Sequence, residues 1–151
     1  MIESAKFNHK KFYDLSIDDL YDILRLRSLV FNHQQNLIQV SGGKCVEIDG
    51  EDKKCSHIIG RRENGEIVAT ARLFDNNEPF KLGRLAVNPE LQKSGIGKQV
   101  MNYLDSIIQS KSIEMHAQSY LINWYSKLGW SVKGEEFMEC GIEHVIMTKN
   151  Q

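Results

Sequence analysis

Leu82-Gly83-Arg84-Leu85-Ala86-Val87-Asn88-Pro89-Glu90-Leu91-Gln92-Lys93-Ser94-Gly95-Ile96-Gly97-Lys98 is the stretch on which the reading of this 151-residue chain turns. It passes from an apolar, strand-like run through Asn88-Pro89 into a glycine-containing loop. After Gly95 the apolar period becomes helical, with Ile96, Val100, Leu104, Ile107 and Ile108 on one face. Backbone N–H groups at a helix start lack partners and carry partial positive charge. Glycines let that backbone come close to a phosphate, so a strand, loop and helix of this composition suit a pyrophosphate. Lys93 and Lys98 add charge nearby.

Two familiar phosphate loops do not fit. A P-loop needs glycine five residues before Gly97 and Ser or Thr after Lys98, where this chain has Gln92 and Gln99. A dinucleotide fingerprint begun at Gly95 meets Val100 at its last glycine, and it lies mid-chain.

Outward from that stretch the pattern is regular. Toward the N-terminus, Ala5 to Tyr13 alternates as an edge strand, and Ser16-Ile17-Asp18-Asp19 reads as a capped helix start. Leu20, Ile23, Leu24, Val30 and Phe31 continue a helical stripe that contains Arg27, which either snorkels or projects into a site. Asn32 to Lys54 is polar and irregular, long for a mere connector. Strands follow at Ser56 to Arg61 and Ile67 to Phe74, turned at Asn64-Gly65, and at Phe80 to Val87. Toward the C-terminus come a strand at Ser112 to Gln118, a helix at Ser119 to Leu128, and a hairpin around Glu139-Cys140-Gly141. This order calls for an α/β mixed sheet with helices on both faces, in one domain spanning 1–151.

Composition narrows the function. With 19 basic and 20 acidic residues spread along the chain, nothing concentrates cations as a nucleic-acid binder does. No apolar run approaches the ~20 residues of a membrane span, and the first residues lack the apolar core of a signal peptide. A cytoplasmic protein is expected. Cys45, Cys55 and Cys140 are an odd number without zinc-ligand spacing, so free thiols and no metal are expected.

Gln92-Lys93-Ser94-Gly95-Ile96-Gly97, as Q/R-x-x-G-x-G/A directly after a strand, resembles the acetyl-CoA pyrophosphate loop of the GNAT superfamily of N-acetyltransferases. About thirty residues on, Tyr125-Ser126-Lys127-Leu128-Gly129-Trp130 resembles its second signature, Tyr-x-x-x-Gly-Phe, with Trp for Phe. The phrases Leu26 to Phe31, Asp49 to Asp52, Ala117-Gln118, Gly134-Glu135 and Gly141 to Met147 resemble the ElaA-like branch. Glu143 stands where that branch commonly has proline, and Gln34 where its Val-Phe-x-x-Glu-Gln-like phrase has glutamate, here Val30 to Gln35. The resemblance implies the GNAT fold, a central twisted, mostly antiparallel sheet of six to seven strands flanked by helices.

It also implies transfer of the acetyl group of acetyl-CoA to a primary amine, on a small molecule or a peptide, by direct attack in a ternary complex. The cosubstrate would lie along Leu85, Ala86 and Val87 and over Gln92, Lys93, Ser94, Gly95, Ile96, Gly97 and Lys98, with Gln118 and Asn123 supporting the pantetheine arm. Tyr125 would protonate the leaving thiolate. For the base the preferred pair is His116 and His144, which the family layout brings to the acceptor cleft; His57, Glu78 and Glu114 are alternatives. The acids Glu47, Asp49, Glu51 and Asp52 would favour a cationic acceptor unless they are simply solvated. Homodimers are common in the superfamily, so one is open to this chain. The competing class is a non-catalytic acyl-CoA-binding regulatory module that keeps the loop without the chemistry.

Overall fold

In the computed structural model, which describes residues 4–150, seven strands form one sheet in the order β1-β2-β3-β4-β5-β7-β6. The strands are β1 (Lys6–Lys11), β2 (Ser56–Arg61), β3 (Ile67–Phe74), β4 (Phe80–Val87), β5 (Ile113–Gln118), β6 (Ser131–Glu139) and β7 (Ile142–Lys149). Every neighbouring pair is antiparallel except β4 with β5. This is the mixed sheet expected from the order of elements, and the fold that the GNAT resemblance implies.

The helices are α1 (Ile17–Arg27), α2 (Leu37–Val40), α3 (Ile96–Ile108) and α4 (Ile122–Ser126). Ser16 starts α1 through a reciprocal capping box: its hydroxyl accepts from Asp19 N at 2.9 Å, and Asp19 Oδ2 accepts from Ser16 N at 3.2 Å. The stripe beyond Arg27 does not stay α-helical. Residues Ser28–Gln34 widen into a π-helical turn that carries Val30 and Phe31 into the core.

Alternation along the strands builds two cores. Ile58, Val68 and Ala71 face one way and meet Ile96, Val100, Leu104 and Ile108 of α3. Ile59, Ile67 and Ala86 face the other way, against Ile23, Leu26, Val30 and Phe31. Each fully buried Ile or Leu side chain contributes roughly 1.5–3 kcal/mol of transfer free energy. Between these apolar layers one feature of the sheet matters most, the parting of β4 from β5.

Two expectations are corrected here. Cys45 and Cys140 are joined in a disulfide, their Cα atoms 5.3 Å apart, although 95 residues separate them in sequence; only Cys55 is free, and it is buried. Arg27 does not snorkel to solvent. It is 1% exposed, and its guanidinium is bound by Glu47 and Asp52.

Candidate active site

The parallel pairing of β4 with β5 covers only Phe80–Leu82 against Ile113–Met115. Past Leu82 the strands part. The cause lies on the other edge of β4, where Arg84 and Leu85 together stand opposite Ala71 alone, between the pairs Arg72 with Gly83 and Thr70 with Ala86. Such a bulge bends its strand, and Arg84 takes a φ of 50° to make it. The β5-facing edge of Leu85, Ala86 and Val87 is thereby left open.

At the end of β4 the Asn88 side chain accepts from Glu90 N, and the chain turns through Pro89. Lys93 and Gly95 both adopt positive φ, 68° and 95°, so Gly95 sits in a backbone state that suits glycine and opens α3. The N–H groups of Ile96, Gly97 and Lys98 form the unpaired first turn of α3, and consecutive amides curled in this way form an anion-binding concavity. Gln92 is turned the other way: its Nε2 donates to Val87 O at 3.2 Å and to Gln34 Oε1 at 2.9 Å. Gly97 lies against α4, where an added Cβ would come within 3.2 Å of the Trp124 ring. Its lack of a side chain therefore serves helix packing as well as backbone approach.

A cleft of about 550 Å³ opens between β4, β5, the 41–49 loop and the β6–β7 hairpin tip. Leu85, Gln118, Tyr125, His116 and His144 line it together; Asn123 is exposed on α4 and is not among its lining residues. Tyr125 is 6% exposed, held between the rings of Trp124 and Trp130. Burial pushes the Tyr125 phenol well above its usual range, so it stays protonated. Gln118 Nε2 donates to Gln35 Oε1 at 3.1 Å.

The two histidines share a carboxylate that the motif reading did not single out. His116 Nδ1 bonds Glu139 Oε1 at 2.9 Å, and His144 Nε2 stands 3.7 Å from Glu139 Oε2. His144 also gives its Nδ1 proton to Ile142 O at 2.8 Å. His57 is elsewhere, buried beside Asp52 O, with its pKa pushed down by burial. Glu78 is far along the sheet, bound to Ser112 and Lys111.

The acids of the 47–52 segment form a closed network instead of a free acidic rim. Glu47 meets Arg27 and Arg84; Asp49 meets Arg72 and Arg84; Asp52 meets Arg27 and Arg72; Glu51 meets Lys54. The bonds from Arg72 hold Asp49 well below the usual carboxylate range. Burial pushes Asp52 upward, but its bonds to Arg27 and Arg72 outweigh that and hold it below its ordinary value. The expectation that these acids attract a cationic acceptor gives way to a structural role.

Residues 42–151 match the acetyltransferase (GNAT) domain family. The chain belongs to the GNAT acetyltransferases. Among GNAT relatives it is similar to protein ElaA of Escherichia coli, 33% identical over 99% of this chain and 97% of that one. The crystal structure of ElaA superposes with a TM-score of 0.82, at 30% identity over 97% of this chain and all of the other. This GNAT chain thus stands with the ElaA-like branch. An acyl-CoA N-acyltransferase from Pseudomonas aeruginosa superposes with a TM-score of 0.83, 25% identical over 97% and 99% of the two chains. A GNAT acetyltransferase from Elizabethkingia anophelis, 13% identical with a TM-score of 0.64 over 97% and 98%, shares the fold and was solved with acetyl-CoA bound. Among the described residues of this GNAT member, no helix is long and apolar enough to cross a membrane, and no side-chain group is spaced to hold a metal ion.

Proposed function

We propose that this GNAT acyltransferase moves the acetyl group of acetyl-CoA to a primary amine by direct attack within a ternary complex. One observation carries the reading: Leu85 on the open edge of β4, Tyr125 and His144 border one cleft. The turn Lys93–Lys98 supplies free amides and two cations for a pyrophosphate. The open edge at Leu85, Ala86 and Val87 offers backbone groups to the pantetheine arm, beside Gln118.

His144 is the base of this reading. With Nδ1–H given to Ile142 O, the neutral ring keeps its lone pair on Nε2, toward the cleft. The amine nitrogen, once neutral, forms a bond to the thioester carbonyl carbon as the C–S bond breaks, and Tyr125 donates its proton to the departing sulfur. Of the two protons that an ammonium nitrogen sheds overall, one ends on the thiol and one in solvent.

Thiol release from acetyl-CoA across a panel of amines tests the reading. Tyr125→Phe, which keeps the ring, should cut turnover by roughly a hundredfold while calorimetric acetyl-CoA affinity holds. Reversing Lys93 and Lys98 to Glu should weaken acetyl-CoA binding instead. Acetyl-CoA binding with no thiol release for any amine would favour the binding-module class. The reading includes a cytoplasmic setting and a homodimer, which cell fractionation and sedimentation test.

A further inference from the structure

Four acids line the cleft: Glu47, Asp49, Glu114 and Glu139. Glu47 and Asp49 are matched by Arg27, Arg72 and Arg84. Glu139 is different: among the described residues it meets histidines, His116 and His144. A carboxylate only accepts hydrogen bonds, so His116 must give its Nδ1 proton to Glu139 Oε1 at 2.9 Å. That bond pins one oxygen and leaves Oε2 facing His144 Nε2 across 3.7 Å.

The gap is informative. Nδ1 of His144 is bound to Ile142 O, so Nε2 of the neutral ring is an acceptor, as is Oε2. Two acceptors have no hydrogen bond to make with each other, and 3.7 Å is too long for one in any case. A donor nitrogen about 2.9 Å from each would fit as the apex of a triangle on that base. Phe137 packs on both rings, stacked on His144 at 26° and edge-on to His116. The neighbouring Cys140 ties the hairpin tip to Cys45, fixing where Glu139 stands.

We propose that Glu139 Oε2 and His144 Nε2 jointly receive the acceptor nitrogen as an ammonium ion. The acceptor class is then alkyl primary amines, which are protonated at neutral pH, in preference to arylamines, which are not. His116 is a positioning residue that holds Glu139. This inference rests on the proposed amine acetylation and specifies its acceptor. The ammonium proton passes to His144 Nε2, the nitrogen lone pair is released, and attack on the thioester follows as above. Glu139 attracts the charged form and keeps its proton facing the imidazole.

The test compares n-pentylamine with aniline, each assayed with acetyl-CoA. Glu139→Gln should raise KM for pentylamine roughly tenfold or more, with kcat changed less, and leave KM for aniline within about twofold. Glu139→Asp should fall between wild type and Gln, and His116→Asn should shift pentylamine KM in the same direction by less. Equal effects on both amines, or none on pentylamine, would overturn the proposal. A second readout needs no turnover: the His144 ring resonances should move when pentylammonium chloride is added, and this response should vanish in Glu139→Gln. If no amine supports thiol release, acetylation is wrong; the ammonium subsite then stands if that Glu139-dependent response is seen and falls if it is not.

Discussion

The two ends of the cleft use the same kinds of side chain to opposite effect. At one end Arg27, Arg72 and Arg84 face Glu47, Asp49 and Asp52, three cations to three anions, mostly buried and mutually bonded. At the other, Glu139 and His116 stand half open beside a buried His144, with an acceptor oxygen facing an acceptor nitrogen. Matching and burial therefore decide what a charged group does. The first end anchors the 41–52 segment to the sheet, and the second keeps unmet hydrogen-bonding capacity where a substrate arrives.

The sharpest way to break this comparison is Asp52→Ala. It takes one of two carboxylate partners from each of two buried guanidiniums, leaving Glu47 to Arg27 and Asp49 to Arg72, so unfolding in urea should show a loss of roughly 3–5 kcal/mol. A loss of less than ~1 kcal/mol would make this end no different from a surface ion pair. Next comes Cys45→Ser, which opens a long covalent loop and should cost about 2–4 kcal/mol in the same measurement. Cys55 offers an internal check, because burial pushes its thiol up to about 12. Native protein at pH 8 should therefore react negligibly with Ellman's reagent and yield one thiol in denaturant.

Acid is a milder probe of the arginine end. Asp49 and Asp52 are held below their ordinary value of 3.8, so the stability they contribute is present above that pH. It is lost as pH falls below 3.8, when the unfolded chain takes up protons first. The urea midpoint should drop over that window, and Asp52→Asn should flatten part of the drop. The smallest effect belongs to Glu139→Ala, which should change stability by no more than ~1 kcal/mol because the side chain is half exposed. A large loss there would make the histidine end structural too.

Much of the fold was legible because its signals are local. The Asn64-Gly65 turn, the alternation of β2 to β4, the Ser16 cap and the change of period at Gly95 each occupy a few adjacent residues. The amide turn at Lys93–Lys98 and the Tyr125 phrase were readable for the same reason. What escaped is joined across the chain. Arg27 meets partners 20 and 25 residues away, Glu139 lies 23 from His116, and Cys45 lies 95 from Cys140. No periodicity encodes such pairings. A helical stripe places Arg27 on the buried face, but only the folded loop shows that carboxylates wait there. Glu139 read as a turn residue, since a hairpin tip is what its neighbours Cys140 and Gly141 announce.

The disulfide also changes how a pull on the molecule would travel. Between Cys45 and Cys140 the backbone is a closed ring that contains β2 to β6, α3 and α4. Tension applied at the two ends bypasses that ring through a single sulfur–sulfur link. Among the described residues, only β1, α1, the π-helical turn, α2 and the chain up to Cys45, together with β7, can be drawn out as slack. In an optical trap the oxidised protein should release a short contour, with Arg27 breaking from Glu47 and Asp52 as α1 peels away; adding a dithiol should let the ring pay out as well.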